Sequence, residues 1–282
     1  MLVNSLIPKV KRMKYIYKYM QHIEKNGLLS FHEGWTDILN CFAYVSYYQK
    51  KYDKLYVIYW SRTYDLFTFY CSQYTNIILI NLDDIHSMIR DREKFNIGDS
   101  DLHLFGFNDR WRLESDPYYF AFHKKMKYNP EKFSNYFYES YDNPFSFRRD
   151  HFEIRRDVEL ENNLYTKTIR DPVYRVTHFY GSHGKLLNIN SSIESIELNN
   201  LTNYFFDSLK IIENAKEIIL IDSVWSVLCF LIDSKYRLFN HIPITVYCVN
   251  NFVCFFDISL PNWTIVEKNN IPNEYLTGIS TS

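Results

Sequence analysis

Apolar residues fall along this chain in short continuous runs that alternate with stretches of helical spacing. The most continuous run is Ile218-Ile219-Leu220-Ile221, which passes directly into Asp222-Ser223 and then into Val224-Trp225-Ser226-Val227-Leu228. An aliphatic run with no polar break predicts a strand buried on both faces. The immediate change to helical spacing predicts a helix directly after a tight polar turn. The same alternation fills the first third of the chain. Val10, Met13, Ile16, Tyr17 and Met20 predict a helix over residues 8–25, ended by Asn26-Gly27. Leu28 to Phe31 is a short apolar strand, His32 to Thr36 a polar turn, and Ile38, Leu39, Phe42, Val45 and Tyr48 mark a helix that stops at Lys50-Lys51. Strands follow at 54–60, 76–82 and 102–105, with helices at 63–73 and 83–95.

The pattern changes after residue 105. Residues 106–171 are rich in aromatics and charges, with Pro117, Pro130 and Pro144 and no strand-like run, and predict helices and irregular connections, one helix spanning Phe152 to Ile169. Alternation resumes with a strand at Val173–Phe179, a turn at Tyr180–Gly184, and short strands at 186–189 and 195–198. A helix presenting Leu201, Phe205, Leu209 and Ile212 follows, capped by Thr202 or Asn203. The 217–221 strand with its helix comes next, then a strand at 244–249 and a polar tail from about Tyr275. Strand–helix alternation of this kind implies parallel sheets with right-handed crossovers. The expected fold is α/β, as two Rossmann-like lobes at 1–110 and 172–282 joined by a mostly helical, aromatic-rich connector at 111–171.

Composition narrows the classes of function. The chain has 282 residues, 46% of them hydrophobic, enough for two lobes with their own cores. No window approaches the roughly 20 apolar residues of a membrane span, and the basic run Lys9, Lys11, Arg12, Lys14 has no apolar segment behind it, unlike a secretory signal. A formal net charge of −1 speaks against a nucleic-acid partner. The five cysteines (Cys41, Cys71, Cys229, Cys248, Cys254) lie in apolar surroundings without a C-x-x-C pair, which reads as buried thiols in a reducing, cytoplasmic setting. The 25 Tyr and 22 Phe, with only 7 Gly, fit the codon bias of an AT-rich genome, viral or bacterial, better than a dedicated sugar-stacking surface.

Three turns are placed for chemistry, because ligands of open α/β sheets bind beyond the carboxyl ends of the strands. The first, His32-Glu33-Gly34-Trp35-Thr36-Asp37, gathers two acids, an imidazole and a glycine. Asp37 is either a helix cap or a general base. The second, Tyr180-Gly181-Ser182-His183-Gly184, is either a hairpin turn or a place where Ser182 and His183 donate to phosphate. The third is Asp222-Ser223-Val224-Trp225. Amide groups in the first turn of its helix lack intrahelical partners and sit at the positive end of the helix dipole, which suits a phosphate. Asp99-Ser100-Asp101 reads as a solvated loop and Arg148-Arg149 with Arg155-Arg156 as a solvated helix face. There is no P-loop, no G-x-G-x-x-G, no H-E-x-x-H and no G-x-S-x-G.

The strand–Gly–x–x–Asp–helix at 28–39, the middle connector, and the segment Ile211-Ile212-Glu213-Asn214-Ala215-Lys216-Glu217-Ile218 through Asp222-Ser223-Val224-Trp225 resemble GT-B-type glycosyltransferases. The nearest groups are the heptosyltransferase-like enzymes and the small glycosyltransferase-like proteins of large DNA viruses and bacteria. That resemblance implies a nucleotide-sugar donor, a glycan or other hydroxyl acceptor, and no cofactor or metal. It assigns Asp37 as catalytic base, with His32, Glu33, Gly34 and Trp35 on the acceptor side. It assigns Ser182, His183, Asp222, Ser223, Val224 and Trp225 to the donor. Thr36 and Val224 stand where that family has glycine, and no His follows on the helix after Val224. Those departures keep open a non-catalytic nucleotide- or glycan-binding protein on a degenerate GT-B fold, and a different Rossmann-like transferase.

Overall fold

The computed structural model describes residues 26–30, 35–59, 61–81, 100–104, 138, 143–181, 184–185, 189, 192–199, 201, 204–249 and 256–276. Two compact units divide the chain, Met1–Phe147 and Arg148–Ser282.

The N-terminal unit is built on a four-stranded sheet. Its strands are β1 (Asn26–Ser30), β2 (Leu55–Tyr59), β3 (Ile77–Asn81) and β4 (Ser100–Leu104), in the order β3-β2-β1-β4. Every neighbouring pair is parallel. Helix α1 (Trp35–Tyr48) links β1 to β2, and α2 (Tyr64–Cys71), entered through a 3-10 turn at Ser61–Thr63, links β2 to β3. Nearly every residue of α1 from Asp37 to Ser46 is buried, as expected of a helix that is apolar around most of its circumference. Phe42 stacks on Tyr70 of α2 at 3.9 Å, and Tyr44 stacks on Tyr138 at 4.9 Å. Ser46 Oγ shares a hydrogen bond with Tyr70 OH at 2.7 Å, which satisfies two buried hydroxyls inside this aromatic layer.

Asn26-Gly27 does not end a helix; it opens β1. Gly27 is needed there because a Cβ would lie 2.4 Å from Tyr52 Cδ2, a distance no side chain tolerates. Ser100 and Asp101 are likewise strand residues, paired with Asn26 and Gly27, not a solvated loop. The sheet register claims them. The helices expected at 8–25 and 83–95 lie outside the described residues.

The C-terminal unit holds a five-stranded sheet in the order β11-β10-β9-β5-β8. These are β5 (Tyr174–His178), β8 (Glu194–Glu197), β9 (Glu217–Ile221), β10 (Ile244–Cys248) and β11 (Trp263–Glu267), all parallel. The two-stranded ribbon of β6 (Tyr180–Gly181) and β7 (Gly184–Lys185) sits in the β5–β8 connection. Two helices precede the sheet, α3 (Phe147–His151), which crosses the unit boundary, and α4 (Val158–Thr168). Helix α5 (Leu209–Glu213), entered through a 3-10 turn at Phe205–Ser208, leads into β9, and α6 (Val224–Tyr236) joins β9 to β10. Residues Trp225 to Asp233 of α6 are all buried. The buried Asp233 carboxylate accepts from the Phe239 amide and Trp263 Nε1, both at 2.8 Å, and so ties the end of α6 to β11.

The helix expected over 152–169 is shorter: residues 152–157 are not helical, and the helix runs over Val158–Thr168. The Asp157 side chain accepts from the Leu160 amide at 3.1 Å and starts α4, which is N-capping by an acidic residue. The arginines are not a solvated face. Arg148 is fully buried and bound to Asp257, Arg149 shares that carboxylate, and Arg156 binds both Glu161 and Glu213. The Glu161 and Glu213 carboxylates hold the Arg156 guanidinium firmly charged, its proton affinity raised above the usual arginine range. Cys41, Cys71, Cys229 and Cys248 are free and buried, as expected, and Cys254 lies outside the described residues. Among the described residues, no helix is long and apolar enough to cross a membrane.

Candidate functional site

Each sheet has one place where successive connections leave in opposite directions, and there a crevice opens beyond the strand ends. In the N-terminal sheet the reversal falls between β1 and β4. In the C-terminal sheet it falls between β5 and β9, because the chain steps from β5 outward to β8 and then back past β5 to β9. Of the three turns singled out by sequence, two follow strands that flank these reversals: α1 follows β1, and residues 222–225 leave the carboxyl end of β9.

In the N-terminal unit, Trp35 is the first residue of α1 and Asp37 the third. Asp37 is therefore inside the first helical turn, where the dipole favours a carboxylate, and it is only 8% exposed. The Cys41 thiol one turn on is pushed well up, first by burial and then by the Asp37 charge. His32, Glu33 and Gly34 lie outside the described residues.

In the C-terminal unit, β9 brings Ile218, Leu220 and Ile221 into full burial, and the chain turns at Asp222. Asp222 is 2% exposed, and its amide donates to Tyr247 O at 3.1 Å, an extension of the β9–β10 pairing. Ser223 caps α6 in extended conformation. Ser223 and Ser226 stand in capping-box positions, and the return bond from the Ser223 amide to Ser226 Oγ measures 2.9 Å. Ser223 Oγ is buried at the start of α6, where it faces the Ser226 amide in the manner of a capping-box hydroxyl. Trp225 packs edge-on against Phe205 at 4.7 Å and against the His178 ring at 6.4 Å.

The second turn is a hairpin. Gly181 pairs with Gly184 and Tyr180 with Lys185, so Ser182 and His183 are the two loop residues; both lie outside the described set. The hairpin leaves β5 after the single residue Phe179, which puts it at the same reversal as the 222–225 turn.

Two residues of this end of the sheet escaped the sequence reading. His178 is the last residue of β5 and stands level with Leu220 in the register. Glu197 is the last of β8; its Oε2 accepts from the Phe179 amide and from Thr177 Oγ1, each at 3.3 Å, and its Oε1 lies 3.3 Å from His178 Nδ1. No local pattern in the sequence marks them; the β5–β8 pairing brings them together. Asp37 belongs to the N-terminal unit and the 178, 197 and 222–225 group to the C-terminal unit.

By sequence, the chain matches no protein-family model and none of the curated proteins. By structure, it matches the crystal structure of the glycosyl transferase family 9 from Veillonella parvula. The TM-score is 0.53 at 11% identity, with 86% of this chain and 87% of that one covered. The fold resembles that of a family 9 glycosyltransferase. The likeness takes in most of both chains and agrees with the α/β fold and parallel sheets expected from sequence.

Proposed function

We propose that this chain is a glycosyltransferase that moves a sugar from a nucleotide-sugar to a hydroxyl acceptor. The observation that carries the reading is the Asp222-Ser223 turn. It lies at the reversal of the C-terminal sheet and opens a 13-residue helix with a buried serine hydroxyl at its cap. A diphosphate fits there because unpaired amides and the positive helix end stabilise anionic oxygens. The likeness to a glycosyltransferase structure supports the same reading at the level of fold.

In the proposed reaction the acceptor oxygen bonds to the anomeric carbon while the bond from that carbon to the donor phosphate breaks. The electron pair leaves on the phosphate oxygen, stabilised by the α6 N-terminus and Ser223. Asp37 takes the acceptor proton, and His32, Glu33 and Trp35 line the acceptor side with Gly34. Ser182 and His183, on the hairpin loop, approach the donor. No metal or cofactor takes part.

The test begins with thermal melting against UDP-, GDP-, ADP- and CMP-sugars. A donor at about 100 times its Kd adds about 2.7 kcal/mol, or roughly 5–10 °C at about 2–4 °C per kcal/mol. Asp37→Asn then keeps the donor-induced shift and loses about 10²–10⁴ in transfer rate. No shift with any donor refutes the reading. Undiminished transfer by Asp37→Asn refutes the base.

A further inference from the structure

His178 is a buried polar side chain at the end of the sheet where the proposed ligand binds. It is 3% exposed, closes β5, and packs its ring near Trp225 in the first turn of α6. Its Nδ1 lies 3.3 Å from Glu197 Oε1, and neither buried atom has a conventional hydrogen-bond partner. A bare nitrogen and a carboxylate oxygen are both acceptors, so a proton on Nδ1 satisfies the two together. Glu197 is in turn fixed by the Phe179 amide and Thr177 Oγ1, which leaves its Oε1 for the imidazole. With Nδ1 occupied in this way, Nε2 is the ring atom available to a ligand.

The charges around the imidazole decide the form in which it meets one. From β8 comes Glu197, whose Oε1 is the acidic atom beside the ring. Arg175, on β5 itself, is engaged three residues back, donating to Ser195 Oγ and Ile189 O at 2.6 Å each. A diphosphate entering this end of the sheet would meet like charge unless a cation stood between. An ionised phosphate accepts hydrogen bonds and donates none, so it selects the doubly protonated ring.

We propose that His178, oriented by Glu197, is a ligand of the diphosphate at the β5–β9 reversal, and that binding draws one proton from solvent onto its ring. The inference rests on the reading of this turn as the nucleotide site. It adds the side chain that carries the compensating charge and makes affinity depend on pH.

The experiment is calorimetric titration with UDP, GDP, ADP and inorganic pyrophosphate between about pH 7 and pH 9, in two buffers of different ionisation enthalpy. The range lies above the secondary phosphate pKa of about 6, so the three nucleoside diphosphates contribute little proton exchange; pyrophosphate, which keeps a proton over most of this range, is used for affinity alone. The expected result is net proton uptake and an affinity that falls up to tenfold per pH unit, the signature of a proton taken up with the ligand. His178→Gln should bind at least tenfold more weakly, with a flat profile. If that variant does not fold, proton uptake by the unaltered protein decides. Binding without proton uptake, or uptake that survives in His178→Gln, overturns the assignment and leaves the functional reading standing. No binding of any of the four probes overturns both.

Discussion

Asp257→Asn tests the ion pair made by the buried Arg148 of the C-terminal unit. The Arg148 side chain is 0% exposed, and its Nη2 donates to Asp257 Oδ1 at 2.8 Å. The guanidinium also lies over the Phe230 ring, 5.4 Å from its centroid. Burial pushes the Asp257 carboxyl up, but the charges and hydrogen bonds of Arg148 and Arg149 outweigh it and hold the group below its usual value. Asparagine keeps the shape and removes the charge that faces the buried Arg148 guanidinium. Breaking one partner of a buried pair costs about 3–5 kcal/mol. The Asp257 side chain is 22% exposed, so water recovers part of that, and about 3 kcal/mol is expected by the same rule. At about 2–4 °C per kcal/mol the melting temperature falls by roughly 6–12 °C. Arg149 shares the same carboxylate but lies nearer the surface, so Arg149→Ala should cost no more than about 1 kcal/mol. Because the folded carboxyl is depressed, the pair stabilises fully above the ordinary aspartate value of about 3.9, and that contribution is lost as pH falls through the lower folded value. Urea and thermal unfolding at pH 7 and along an acid series measure both effects. A loss under about 0.5 kcal/mol for Asp257→Asn, the range of an ordinary surface change, or an equal loss for Arg149→Ala, would show that burial does not set the strength of this pair.

Arg237 follows α6 with φ 55° and ψ 33°, in the left-handed region, and is exposed. Arg237→Gly should stabilise by about 0.5–1 kcal/mol, since glycine enters that region without the clash of a Cβ; an unchanged or lower melting temperature would contradict this. The Cys41, Cys71 and Cys229 thiols are all pushed up, chiefly by burial. Only the thiolate reacts, so Ellman's reagent at pH 8 should reach them only after denaturation, and rapid modification of the native protein at any of these three, mapped by mass spectrometry, would refute their burial.

The parallel strands were legible because burial on both faces demands continuous apolar runs. The run 218–221 and the run 55–59 appear in the structure within a residue of their expected ends. Strand β11 was missed for the same reason turned around. It pairs with a neighbour on one side only, and its residues range from half-buried to exposed, so Trp263-Thr264-Ile265-Val266-Glu267 carries no unbroken apolar signal. Arg148 and Arg149 looked like a solvated face because the carboxylate that draws them inward is Asp257, more than a hundred residues on. Spacing along a helix contains no information about such a partner.

The candidate site divides along the same line. Asp222-Ser223 could be located from sequence because a strand, a turn and a helix N-terminus are local, and the chemistry of a helix N-terminus is local with them. His178 and Glu197 could not, because nothing joins them except register. Thr177 pairs with Glu197 across β5 and β8, and His178 with Leu220 across β5 and β9. Strand order then places that group where the connections reverse direction. A turn read from sequence therefore becomes a candidate site only when the sheet order shows which strand end lies beside it. Here β5, and not β10, separates β9 from β8. That one exchange of neighbours puts the His178 imidazole beside Trp225, in the first turn of α6.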